Sequence, residues 1–292
     1  MPSAPPIRLD DRSVLAVTGP DAAAFLHNIV TANVERLAEG EATYAALLTP
    51  QGKILSDFLI VAVAGGFLLD VPADQIAALA KRLKMYKLRS AVDIADRSAD
   101  FVVFAWPGGS DAASGLGPEA IVFVDPRLSA LGARAIVPAA SAPPAAGARS
   151  DYDILRIALA VPEAGDDFAL GDAVPHDVNF DDLNAIDFRK GCYVGQEIVS
   201  RMKHRGTARR RLVIVRSSRG VPLPAAGSDI LAGTRIVGTL GSAAGDIGLA
   251  ILRLDWTKEA IDAGAAIAAA DVELVVQLPA YAGFSWPATA AP

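Results

Sequence analysis

The 292-residue chain contains one cysteine and three histidines. A lone thiol closes no internal disulfide, which argues against an oxidising compartment. Nor can one cysteine build a cysteine-rich zinc or iron–sulfur site, so any metal held here needs ligands from a second molecule. The imidazoles are His27, His176 and His204, and no hydrolase-type Ser or Cys motif surrounds them. Long apolar runs are missing too. The longest, Phe58 to Leu69, is split by Gly65-Gly66 and is too short to cross a bilayer as a helix. The first residues show no basic stretch leading into an apolar core, so a signal peptide is not expected. These absences lead to the expectation of a cytoplasmic protein with no membrane partner.

With 52% apolar and 21% charged residues, the composition is that of a globular protein rather than a disordered one. Residues 14–18 pattern as a strand, and Gly19-Pro20-Asp21 opens a helix with Phe25, Leu26, Ile29 and Val30 on one side. From Ala42 to Val71 the alternation and its Gly-containing turns predict an antiparallel meander. A helix is predicted over 74–88, then strands at 91–96, 101–106, 121–124 and 133–137. The Pro/Ala/Gly stretch 137–150 lacks periodicity and marks a boundary. Helical spacing resumes over 151–161. Short β segments at 211–216, 229–240, 246–254 and 271–278, punctuated by glycines, predict a closed antiparallel barrel. The expected division is an α+β region over 1–140, a second α+β segment over 150–208, and a barrel over 209–292.

The stretch FRKGCYVGQEIVSRMKHRGTARRR (188–211) places the only cysteine, Cys192, beside the densest run of cations in a chain of net charge −6. Lys190, Arg189, Arg201, Lys203, His204 and Arg205 lie close in sequence, and cations favour the reactive thiolate. Gly191 and Gly195 permit a tight turn, after which Gln196-Glu197-Ile198-Val199 start a helix with Ile198 and Val199 inward. A thiol poised at that turn is one reading. A small buried hydrophobe is the other. The run Arg201–Arg211 holds six Lys/Arg in 11 residues. It lacks the aromatics that stack bases, so direct RNA binding is not expected, and steering of anions fits better.

The string KGCYVGQEIVSR (190–201) resembles the signature of the YgfZ family, folate-binding proteins linked to iron–sulfur cluster maintenance and related to the glycine-cleavage T-protein, an aminomethyltransferase. FLHNIVTANV (25–34), TPQGKILSDFLI (49–60) and VPHDVNFDDLNAIDFRKGC (174–192) resemble the same family. The resemblance implies an α+β, T-protein-like cloverleaf of α+β lobes with a C-terminal antiparallel β-barrel. It implies an accessory factor for iron–sulfur assembly or repair rather than an enzyme. Cys192 is then the working thiol and a transient cluster ligand, supported by Lys190 and Arg201 within a motif of Gly191, Tyr193, Gly195, Gln196 and Glu197. It further implies tetrahydrofolate or another reduced folate as ligand, held by Asp177, Asn179, Asp57, Thr31, Asn33 and Tyr44, and no permanent metal. The pocket is expected between lobes, from parts of 25–34, 42–57 and 175–197. Partners would be iron–sulfur assembly proteins or cluster-containing clients, with the chain itself a monomer.

Two alternatives stand beside this. One is a tetrahydrofolate-dependent aminomethyl or one-carbon transferase. Ser56-Asp57 stand where T-proteins carry adjacent aspartates, which weighs against it. The other is a protein of tRNA modification, with its effect passing indirectly through cluster-dependent enzymes.

Overall fold

A computed structural model describes residues 5–107, 115–206 and 208–288. The chain forms two compact units, Met1–Tyr152 with Leu183–Gln196, and Asp153–Asp182 with Glu197–Pro292. The segment 150–208, expected as one piece, is therefore shared between them. A crossing falls at Tyr152–Asp153, just past the Pro/Ala/Gly stretch.

In the first unit the order is β1 (Ile7–Arg8), β2 (Arg12–Thr18), α1 (Ala22–Ile29), β3 (Ala42–Leu48), β4 (Ile54–Val63), β5 (Gly66–Pro72), α2 (Ile76–Tyr86), β6 (Asp93–Asp96), β7 (Phe101–Trp106), β8 (Ile121–Val124) and β9 (Ala133–Pro138). The predicted meander is β3-β4-β5, extended by β2 and β6 into a five-stranded antiparallel sheet. Strands β1, β7, β9 and β8 make a second antiparallel sheet. The two-residue β1 is too short to leave a periodic signal, and the sequence reading missed it.

Strand periodicity explains how the layers form. Leu15, Val17, Ala45, Leu47, Phe58, Ile60, Leu69 and Val71 share one face of the five-stranded sheet. Phe25, Leu26 and Ile29 of α1 and Ile76, Leu79 and Leu83 of α2 cover that face. The alternate positions Arg12, Tyr44, Asp57 and Asp70 therefore point the other way. There they meet Asp125, Arg127 and Tyr152, and Arg134 from β9. Arg12 Nε donates to Asp70 Oδ1 at 2.6 Å, and Arg134 Nη1 donates to Asp70 Oδ2 at 2.7 Å. Arg134 Nε reaches Asp125 at 3.1 Å, and Arg127 holds Asp125 with two bonds of 3.0 and 2.7 Å. Both guanidiniums also donate to the Tyr152 hydroxyl, at 2.6 and 2.5 Å. Burial alone would raise the Asp125 carboxyl, but Arg127 and then Arg134 hold it down at about 2.

In the second unit β10 (Arg210–Ser217), β11 (Asp229–Ala232), β12 (Arg235–Ala244), β13 (Ile247–Arg253), β14 (Ile267–Ala269) and β15 (Val272–Gln277) close into an antiparallel barrel in the order β10-β13-β12-β11-β14-β15. The predicted segment 229–240 is two strands, joined at a turn through Gly233. Inward residues including Val213, Val215, Leu240, Leu252 and Leu274 fill the barrel. A helix, α5 (Leu254–Asp262), and the three-residue β14 were not anticipated. The helix buries only Leu254, Thr257 and Ala260, too thin a stripe to stand out in sequence.

Two helices span the unit boundaries: α3 (Arg149–Ala158) and α4 (Gln196–Arg205). The expected turn and helix after Cys192 are present, and the helix runs ten residues. Val199 is fully buried and Ile198 partly so.

The layered ion pairs lead to a prediction. Arg134→Met leaves Asp70 and Asp125 short of a buried partner and should lower unfolding free energy by about 3–5 kcal/mol in urea titration. Arg134→Lys should not restore it, because a single ammonium cannot reproduce the planar fork that serves two carboxylates and a phenol.

Candidate thiol site

The loop 187–195 belongs to the first unit and is fixed at both ends. Helix α1 ends with carbonyls that have no intrahelical partner. The Lys190 ammonium fills that end, donating to the carbonyls of His27 at 2.5 Å, Val30 at 2.6 Å and Ala32 at 2.7 Å. A lysine has three N–H donors, so all are taken. Burial pushes Lys190 down to about 8, against the pull of Asp187 and Glu35. The ammonium also lies 5.3 Å from the centre of the Tyr193 ring.

At the other end, Gly195 adopts φ +83°, and a β-carbon there would stand 2.5 Å from the Thr49 carbonyl oxygen. The loop thus rests on the tip of the β3–β4 hairpin, at a spacing only glycine permits. Gly191 differs. Its φ is not positive, and a β-carbon would find its nearest neighbour, His27 Nε2, 3.9 Å away. The expectation that both glycines enforce the turn holds only for Gly195.

Between these anchors Cys192 is exposed. Tyr193, next to it, is buried. Three of the cations expected to support the thiol, Lys190, Arg201 and Lys203, have other partners. Lys190 spends its donors on α1. Arg201 and Lys203 lie in the second unit, where Arg201 pairs with Glu197 at 2.5 Å and Lys203 approaches Asp181 at 3.6 Å. His204 is exposed, Arg189 is exposed with Asp187 3.9 Å away, and the Arg205 side chain lies outside the described residues. Gln196 is half-buried and Glu197 exposed.

The residues expected to hold folate fall in both units. In the first, Thr31 donates to the Ala185 carbonyl at 2.6 Å and accepts from the Ala46 N–H at 2.8 Å, tying the turn after α1 to the sheet. The Tyr44 hydroxyl donates to Asp57 Oδ2 at 2.8 Å in the interior, and burial followed by the Asp57 charge pushes the phenol up. Ser56 donates to Gln75 at 2.9 Å. Asn33 borders a cavity of about 430 Å³ with Ala32, Thr43, Asn184, Ile186, Asp187, Phe188 and Arg189. Its Oδ1 is buried without a hydrogen-bond partner among the described residues. Asp187 and Phe188 were not singled out from sequence, and only folding brings them opposite Asn33. In the second unit Asn179 is fully buried, its amide donating to the Leu212 carbonyl at 2.9 Å. Asp177 is buried with Arg210 at 3.8 Å, and burial raises its carboxyl.

These features define a class before a family. Residues 12–112 match the GCVT N-terminal domain, and residues 209–284 match the C-terminal beta-barrel domain of CAF17. The crystal structure of glycine cleavage system aminomethyltransferase T from Bartonella henselae covers 96% of this chain, which covers 87% of that one, with a TM-score of 0.71 at 15% identity. The class is therefore a T-protein-like fold with a closed six-stranded C-terminal barrel. Among curated proteins, human mitochondrial iron–sulfur cluster assembly factor IBA57 is 32% identical over 280 residues, spanning 86% of this chain and 77% of that protein. The Neurospora crassa homologue is 34% identical over 232 residues, 70% of this chain and 52% of that protein. The chain belongs to the CAF17/IBA57 family, of YgfZ-like proteins. It spans about half the length of the Neurospora relative.

The same relatives correct one expectation. They are mitochondrial proteins, which overturns the cytoplasmic assignment. A lone cysteine speaks against oxidising compartments but does not choose among reducing ones.

Two predictions follow from the site. Lys190→Met leaves the carbonyls of His27, Val30 and Ala32, at and just past the end of α1, without their donor and should cost about 2–4 kcal/mol of stability in chemical denaturation, at the scale of buried unsatisfied groups. Histidine titration gives the second. Burial pushes His176 down to about 4, opposed by Asp181 and aided by Arg211 and Lys203. The unfolded histidine takes its proton near pH 6.5, so stability present above that value is lost as pH falls toward 4. Thermal melts of His176→Leu should show a shallower decline across that window than the parent.

Proposed function

We propose that this chain supports iron–sulfur cluster assembly, with Cys192 as its working thiol and a reduced folate as its small-molecule ligand. The observation that carries the reading is the exposure of the only cysteine on a loop anchored at Lys190 and Gly195. An exposed thiol adds little to packing, so the anchoring serves its presentation rather than the core. The relatives are iron–sulfur cluster assembly factors, which agrees with that use. In this reading the cluster is cargo. Cys192 provides one thiolate, and an assembly protein or client provides the remaining ligands. Among the described residues no group of three or more His, Cys, Asp and Glu could hold a metal without them.

For the folate, the cavity beside Asn33 has a volume within the roughly 300–1,000 Å³ usual for such ligands. Asn33 Oδ1 and the Asp187 carboxylate are acceptors suited to the N–H groups of a pterin ring, and Phe188 offers an apolar surface. When bound, the folate would supply a one-carbon carrier. This chain's residues orient it by hydrogen bonds. Of the six residues expected for this task, Asn33 lines the cavity, Thr31, Tyr44 and Asp57 brace the sheet of the first unit, and Asp177 and Asn179 belong to the second unit.

The test is genetic and chemical. Cells carrying Cys192→Ala should lose most [4Fe–4S] enzyme activity while the variant protein accumulates normally. Full activity in those cells would remove the thiol from the function. Asn33→Leu should weaken reduced-folate binding about tenfold in calorimetry, the scale of a lost buried hydrogen bond. Conversion of tetrahydrofolate to a one-carbon adduct with an aminomethyl donor would instead establish a transferase.

A further inference from the structure

The end of α2 has charges and apolar groups that nothing in the fold uses. From Gln75 to Val92 the chain has no Asp or Glu, yet it carries Lys81, Arg82, Lys84, Lys87 and Arg89 within a protein of net charge −6. Helix α2 buries Ile76, Leu79 and Leu83 against the five-stranded sheet. The opposite side holds Lys81 and Met85, four residues apart and so neighbours on the helix surface, and Leu88 follows in the turn just past the helix end. Lys81, Arg82, Lys84 and Arg89 are exposed, Met85 is 63% exposed and Leu88 is 86% exposed. None of the five cations forms an ion pair among the described residues. Leu88 adopts φ +48°, a conformation uncommon for leucine, at the turn that ends the helix.

A single exposed leucine is ordinary on a protein surface. Two large apolar side chains ringed by unpaired charge of one sign are not. We propose that this end of α2 is a peripheral docking surface for anionic lipid, with Met85 and Leu88 entering the acyl boundary and the cations at the level of the phosphates. Basic residues flanking protruding apolar ones are the pattern of interfacial segments. An acidic protein partner is the competing occupant. The lipid surface is favoured because Met85 and Leu88 are both exposed and the segment itself offers no carboxylate to pair with a partner's cations. A neighbouring carboxylate, Asp21, which borders an open cavity of about 710 Å³ with Leu88 and Arg89, accepts from the Ala91 N–H. No described helix is long and apolar enough to cross a membrane, which concerns spanning and leaves surface contact open. The inference does not rest on the thiol or folate reading.

The test uses the full chain in flotation with phosphatidylcholine vesicles, and with vesicles in which part of that lipid is replaced by phosphatidylglycerol. The protein should float with the anionic vesicles at low salt, stay behind with the neutral ones, and be released as salt rises. Each Lys→Glu change at 81 or 84 should lower partitioning at least fivefold, since one cation near such a surface is worth about that factor. Leu88→Asn should lower it about fivefold to tenfold without lowering the melting temperature, because the side chain is exposed and asparagine tolerates the positive φ. Absence of flotation with anionic vesicles would overturn the proposal. So would binding indifferent to lipid charge or to these substitutions. Cross-linking from position 85 to an acidic protein, without vesicle binding, would assign the surface to that protein instead.

Discussion

Three carbonyls at the end of α1 and in the turn that follows it, those of His27, Val30 and Ala32, need donors, and the Lys190 ammonium has three to give. Because that lysine sits two residues before Cys192, the same contact that finishes the helix also places the thiol. The loop cannot lift from α1 without exposing unsatisfied backbone oxygens. It cannot shift along the β3–β4 hairpin either, because Gly195 already touches the Thr49 carbonyl. The sulfur is exposed not because its surroundings are loose, but because the loop is held from beneath at both ends.

A comparable logic runs through the sheets of the first unit. Period-two alternation sends Phe58, Leu69 and their neighbours toward the helices, and Asp57, Asp70, Tyr44 and Arg12 toward the other layer. Apolar residues there would pack without regard to register. The forked bonds of Arg134 and Arg127 to two aspartates and one phenol match only one arrangement of the strands that carry them. Such a layer adds little net stability compared with an apolar one, yet loss of a single member strands a buried charge.

The motif KGCYVGQE and the family it resembles were legible directly, and so were the meander and the barrel, because turns and alternation are local properties. The roles within the motif were not. Lys190 reads in sequence as electrostatic support for a neighbouring thiol, and Gly191 as a turn former like Gly195. What distinguishes them is what stands opposite in space: α1 for the lysine, the hairpin for one glycine, and only the edge of His27 for the other. The segments that line the cavity beside Asn33 were among those expected from the resemblance, but which of their side chains face it was not legible, since Asp187 and Phe188 come from more than 150 positions away along the chain.

The sequence by itself determined which elements exist and which family they compose, because helix stripes, strand alternation, glycine turns and an uninterrupted motif depend on neighbours within a few residues. Short or thinly buried pieces such as β1, β14 and α5 escaped it, having too few residues to carry a period. Tertiary structure alone decided the use of each polar side chain. A lysine, tyrosine or aspartate has several partners available in any sequence, and burial selects among them by leaving no water to take the place of the one that is lost.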